Sequence, residues 1–164
     1  MEKLKKISES YLWVHEVENK SIVELKKTTE LLEEMHNRFF SRFGISNTKF
    51  NVLVILYKGD ENGMILSEIG ERMLVTKGNI TGLIDRLEKQ GYVRRIRDKE
   101  DRRKVLAAIT ERGKAYIEEV IEAYKNWSKE MLHGVDVEEI NKMVEILEKM
   151  RINLIKNAEL KGGF

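Results

Sequence analysis

Apolar residues recur along this chain with two periods, one helical and one strand-like. Ile22, Leu25, Leu32, Met35, Phe39 and Phe43 fall three, four or seven positions apart, with charged residues between them. That spacing puts them on one face of a helix. The helix is expected within residues 1–45, with Tyr11, Trp13, Val14 and Val17 extending its start and Gly44 ending it. Ser46 is placed to cap a second helix reaching about Tyr57, with Phe50, Leu53, Val54 and Leu56 facing inward. Residues 58–63 are a turn cluster, and Met64-Ile65-Leu66 is too short for a helix and reads as a lone strand.

Ser67 can cap a short helix holding Ile69 and Met73. Thr76 can cap the next, in which Ile80, Leu83, Ile84 and Leu87 repeat at i, i+3, i+4 and i+7 before Gly91. Two short helices with a tight junction near Val75 make a helix-turn-helix. The period then changes to two. Tyr92–Arg97 and Arg103–Ile109 read as strands around the polar tip 98–102, a hairpin laid out as a wing. Thr110 can cap a long helix to about His133, carrying Ile117, Val120, Ile121, Tyr124, Trp127 and Met131 on one face. Gly134 ends it. Asp136 and Glu139 then form a capping-box start to a last helix striped by Ile140, Met143, Val144, Leu147, Met150 and Leu154. The tail 161–164 is expected to fray.

The fold class predicted is mostly α with a small β-hairpin. A winged helix-turn-helix at residues 46–110 is flanked by an N-terminal helical part, 1–45, and C-terminal helices, 111–160. The apolar stripes of the flanking helices are too long for the winged unit to cover. A second copy of the chain covers them best, as a homodimer; the other solution is an intramolecular three-helix bundle.

Composition narrows the chemistry. The 164 residues hold no cysteine, which excludes disulfides, thiolate metal sites and thiol nucleophiles. No apolar run approaches about 20 residues, so neither a signal peptide nor a membrane span is expected, and the protein is expected in the cytoplasm. No phosphate-binding glycine loop, GxSxG or HExxH occurs, and His15, His36 and His133 lack metal-ligand spacing. No enzyme activity, metal or cofactor is expected.

The net charge is only +2, so a nucleic-acid partner would require positive charge to be concentrated locally. It is. Between Arg94 and Lys104 stand Arg94, Arg95, Arg97, Lys99, Arg102, Arg103 and Lys104 against three acids, a surplus of four. A hairpin tip of this kind fits a minor groove. The N-terminal outer face of the preceding helix offers Thr76, Lys77, Gly78, Asn79, Thr81 and Gly82. Asn can pair bidentately with adenine, and Thr can contact base or phosphate. Each glycine costs the helix roughly 1 kcal/mol against Ala. Close approach of the backbone to DNA would offset this, and so would tight packing on a neighbouring helix. Asp85 is expected to orient an arginine of the wing or helix by a salt bridge, and Arg86 to contact phosphate. The rival class is a winged helix used only for protein contacts, which has no need of seven basic residues.

Leu66-Ser-Glu-Ile-Gly-Glu-Arg-Met-Leu-Val75, Thr76-Lys-Gly-Asn-Ile-Thr-Gly-Leu-Ile-Asp-Arg-Leu-Glu88, the wing Asp98-Lys-Glu-Asp-Arg-Arg103 and Ile109-Thr-Glu-Arg-Gly113 together resemble the MarR (multiple antibiotic resistance regulator) family. The resemblance covers about residues 44–113. It implies a homodimeric transcription regulator, expected to be a repressor, on a roughly palindromic double-stranded DNA operator. Major-groove contacts would fall at Thr76, Lys77, Asn79, Thr81 and Arg86, and wing contacts at Arg102 and Arg103. Asp101 and Arg103 match the family's wing Asp-x-Arg, where the acid supports the arginine. Many relatives are released by a small aromatic or anionic effector. The resemblance places that site where the dimerisation helices meet the winged unit, and the candidate lining residues here are His36, Phe40, Arg42 and Tyr57. The chain departs from the pattern at Lys99, where proline is common, and at Gly82, where a larger, often basic residue is frequent. Its lack of cysteine excludes the family's thiol-oxidation branch.

Overall fold

The computed structural model describes residues 16–73, 77–97 and 104–160. In chain order they form α1 (Val17–Ser41), α2 (Asn47–Lys58), β1 (Met64–Ile65), α3 (Leu66–Arg72), α4 (Lys77–Lys89), β2 (Val93–Arg97), β3 (Val105–Ile109), α5 (Glu111–Met131) and α6 (Val137–Leu160). The expected extension of α1 through Tyr11, Trp13 and Val14, the Thr76 cap, the wing tip, the start of the second strand at Arg103 and the frayed tail lie outside the described residues. Two compact units divide after Val120, within α5. No helix among the described residues is long and apolar enough to cross a membrane.

In the first unit α1 ends as the pattern predicts, with Gly44 at φ 68° and the Ile45 N–H donating back to the Phe40 carbonyl. The Ser46 hydroxyl accepts from the Lys49 N–H and caps α2. The inward face of α2 is wider than predicted. Val52 is fully buried beside Phe50, Leu53 and Leu56, while Val54 is only half-buried. Phe40 fills the centre, its ring 5.1 Å from Phe39 and 4.7 Å from Phe50.

The short strand is not alone. β1 pairs antiparallel with β3, Met64 opposite Ala107, giving a three-stranded sheet of order β1-β3-β2. Its path depends on Gly63, where a Cβ would stand 2.7 Å from the Ala107 carbonyl oxygen. The pairing also moves the start of α3. The helix begins at Leu66 behind Ile65, which makes no side-chain cap, so Ser67 is not the cap residue. Ile65 is pinned opposite Leu106 in extended conformation, and the chain turns helical directly from the strand.

Thr110 ties the wing to α5. Its Oγ1 accepts from the Gly113 N–H at 3.0 Å and donates to the Gly91 carbonyl at 2.7 Å. Gly113 lies so close to β2 that a Cβ would fall 2.1 Å from the Tyr92 carbonyl oxygen. In the second unit the predicted capping box forms reciprocally. The Glu139 N–H donates to Asp136 Oδ1 at 2.8 Å, and the Asp136 N–H donates to Glu139 Oε2 at 3.1 Å.

Candidate nucleic-acid interface

α4 is two-faced because its apolar residues recur with the helix period. Ile80, Leu83, Ile84 and Leu87 are buried, and α3, whose Ile69 is buried too, packs against this helix. The opposite face carries Asn79, Thr81 and Arg86, all exposed, and the half-buried Gly82. Lys77 and Gly78 belong to its first turn. Thr76 lies outside the described residues. Among the described residues, no helix packs closely on Gly82. Among the described residues a Cβ there would meet only Arg86 Nη1, at 3.5 Å, an ordinary contact. Of the two readings of this glycine, tight packing on a neighbouring helix finds no partner among the described residues.

The β-sheet sorts the basic residues of the wing. Side chains alternate across a strand, so Arg95 and Arg97 point to one face of β2 and Arg94 to the other. Arg95, Arg97 and Lys104 line an open groove of about 730 Å³ with Ser67, Thr81 and Asp85, over Ile65, Leu66 and Val105. This groove brings the exposed face of α4 and the base of the wing onto one side of the molecule. Arg94 lines a different groove. Lys99, Asp101, Arg102 and Arg103 lie outside the described residues.

Asp85 makes the salt bridge expected of it, and the partner is Arg95. One guanidinium nitrogen, Nη1, pairs with Asp85 Oδ1 and lies 3.4 Å from Glu88 Oε2. Nη2 donates to the Thr81 carbonyl at 3.4 Å, and the Arg95 backbone N–H donates to Glu88 Oε1 at 3.0 Å. The side chains remain 29% and 45% exposed at Arg95 and Asp85, so the pair contributes no more than about 1 kcal/mol to stability. Glu88 was not singled out from the sequence, which marks Ser67 as a helix cap and Lys104 as one of seven basic residues, neither as part of a groove. The i, i+3 spacing of Asp85 and Glu88 could have indicated the shared partner; nothing local places Ser67 or Lys104 in the groove.

The four candidate effector residues fall in different surroundings. His36 stacks on Phe40 with ring centroids 5.9 Å apart, and burial pushes the His36 imidazole pKa down. Phe40 has no exposed surface. Arg42 is exposed at the end of α1. Tyr57 Oη donates to Glu118 at 2.8 Å, and this carboxylate raises the phenol's pKa. Tyr57 lines the second groove, about 890 Å³, with Arg94, Glu61, Thr110, Lys114 and Glu118. That lining includes none of the other three. Among the described residues, no three acids or histidines are grouped to hold a metal ion.

The model of the MarR family matches residues 45–105. The uncharacterized HTH-type transcriptional regulator YdgJ of Bacillus subtilis is 32% identical over 122 residues, covering 74% of this chain and 73% of that protein. The HTH-type transcriptional repressor YetL of the same organism is 29% identical over 134 residues, 80% of this chain and 78% of that one. Among solved structures, the S. aureus MepR–DNA complex is similar with a TM-score of 0.71 at 19% identity, over 79% of this chain and 94% of that chain.

Proposed function

The chain belongs to the MarR family of transcription regulators, and from that premise we propose that it is a homodimeric, sequence-specific DNA-binding repressor without catalytic activity. The observation that carries the reading is the placement of Asn79, Thr81, Gly82 and Arg86 on the open face of α4, beside the groove that Arg97 and Lys104 line. Each protomer would set α4 into one of two successive major grooves, one helical turn (about 10 bp) apart. Asn79 would read a base edge, and Thr76, Lys77, Thr81 and Arg86 would contact base or phosphate. Gly78 and Gly82 would let the helix backbone approach the duplex. The wing, with Arg97, Lys99, Arg102 and Arg103, would enter the minor groove, Asp101 supporting Arg103. A repressor among the relatives and a DNA complex among the similar structures support this assignment.

The dimer is supported by α6. Val137, Met143, Val144, Ile146, Ile152, Leu154 and Ile155 are all at least 42% exposed along it. An apolar surface of this extent on a regulator calls for a cover, and a second copy supplies it. A small aromatic or anionic effector would release DNA by favouring a dimer with the wrong half-site spacing. Tyr57, beside an open groove, is the strongest of the effector residues, with His36 and Arg42 secondary. A ligand reaching Phe40 would have to open the aromatic core.

The test is fluorescence anisotropy with the DNA upstream of the protein's own gene and a random duplex of equal length, across salt. A preference of at least about 10³ is expected, with affinity falling steeply as salt rises. Weak, equal binding to every duplex, including those from a random pool, refutes sequence-specific reading. Sedimentation equilibrium tests the dimer, expected at twice 19.2 kDa.

A further inference from the structure

Between α4, which would enter the major groove, and β2, which leads to the wing, the chain has only Gln90, Gly91 and Tyr92. Two elements that must enter two grooves at once need a fixed mutual angle, and so short a connection does not lock one by itself. Among the described residues, Arg95 is a side chain that spans them. Its guanidinium reaches Asp85, Glu88 and the Thr81 carbonyl, three acceptors on the edge of α4. Its own backbone N–H reaches Glu88 as well.

We infer that Arg95 is a positioning residue, which braces the wing against the reading helix and does not itself touch DNA. The inference rests on the DNA-binding reading above. Three observations support it. Arg95 directs its guanidinium donors into the protein, and its side chain is half-buried, whereas Arg94 and Arg97 on the same strand are exposed. One of its acceptors is the carbonyl of Thr81, a residue of the proposed reading face, so the brace acts where reading would occur. Finally, Asp85 and Glu88 are acids beside a surface meant for phosphates. Arg95 offsets part of that charge and turns two repulsive groups into the anchor of the brace. An arginine's planar fork suits several acceptors at once in a way a lysine's ammonium does not.

The experiment compares wild type, Arg95→Gln, Arg95→Lys, Asp85→Asn and Arg97→Gln on two duplexes. One is the duplex wild type selects from a random pool, and the other is an unselected duplex of equal length. Each is titrated across salt, and melting curves confirm folding. Arg95→Gln is expected to lose affinity for the selected duplex on the order of tenfold, with much less loss on the unselected one and an unchanged salt slope. Arg95→Lys should lose selectivity although it keeps the charge. Asp85→Asn should lose selectivity too, although removing an acid by itself strengthens binding to any duplex. Arg97→Gln, the control for a phosphate contact, should lower the slope by about one per arginine removed.

If Arg95→Gln weakens both duplexes equally and lowers the slope as Arg97→Gln does, Arg95 grips phosphate and the inference is overturned. Unchanged selectivity in Arg95→Gln or full selectivity in Arg95→Lys overturns it as well. Should Arg95→Gln fail to fold, Asp85→Asn decides alone, and a gain in affinity on both duplexes overturns the brace. A wild type that selects no duplex refutes the DNA reading itself, an outcome distinct from a selective wild type with equally selective variants.

Discussion

Replacing Gly82 by alanine should move stability and DNA binding in opposite directions. Among the described residues the added methyl would meet only Arg86 Nη1, at 3.5 Å, so these residues can accept it without strain. Gly82 lies inside α4 and is not among the glycines held at positive φ. Alanine therefore gains helix propensity, roughly 1 kcal/mol. For a protein of this size that corresponds to a rise in Tm of about 2–4 °C, measured by calorimetry at fixed protein concentration because a dimer's Tm depends on it. On DNA the same methyl would stand between the helix backbone and the groove. Operator affinity, read by anisotropy, should fall by about 1–3 kcal/mol per half-site, the scale of one lost base contact. A lower Tm would refute the geometric argument, because something must then pack against the methyl. A higher Tm with unchanged affinity would refute the close approach of α4 to DNA and leave the glycine without a function in binding.

Gly113→Ala should behave in the contrary way. A Cβ 2.1 Å from the Tyr92 carbonyl oxygen forces α5 away from β2, at a cost of about 3 kcal/mol or more, visible as a lowered denaturation midpoint. Thr110→Ala removes both the α5 cap and the bond to Gly91, and should cost about 1–2 kcal/mol in the same assay. Tyr116, stacked on Tyr92 and partly buried, has its pKa pushed up to about 12 by that burial. The folded state favours the neutral phenol, so its contribution is complete below pH 10 and is lost as pH rises toward about 12. Denaturant titrations from pH 9 to 12 should show a fall that Tyr116→Phe flattens. Lys77→Ala should weaken binding to all duplexes, while Asn79→Ala should in addition relax preference at one base pair; equal losses on all sequences for both would remove Asn79 as a reader.

Much of the architecture was legible because its causes are local. The Ser46 cap, the Asp136–Glu139 box and the inner face of α4 each depend on residues three or four apart, and the sequence displays that spacing directly. Thr110 was readable as a cap for the same reason, but its second bond, to Gly91 across 19 residues, was not. The partnership of β1 with β3 was missed because two residues carry no pairing information of their own. The loss of Ser67 as a cap followed from that pairing.

The candidate site divides along the same line. Which residues are basic, which helix face is polar and where the wing must fall were all present in the linear order of residues. That Arg95 turns inward to Asp85 while Arg97, on the same face of β2, stays exposed was decided by where α4 lies along that face. That Tyr57 meets Glu118 across 61 positions, and Tyr116 the Phe43 carbonyl across 73, was decided by core packing. Sequence by itself determined the elements, their order, the caps at Ser46, Thr110 and Asp136 and the chemistry on offer, since helix period and capping act within one turn. Tertiary structure alone decided which of the offered groups face outward and which are used internally, since that depends on what the folded chain brings alongside them.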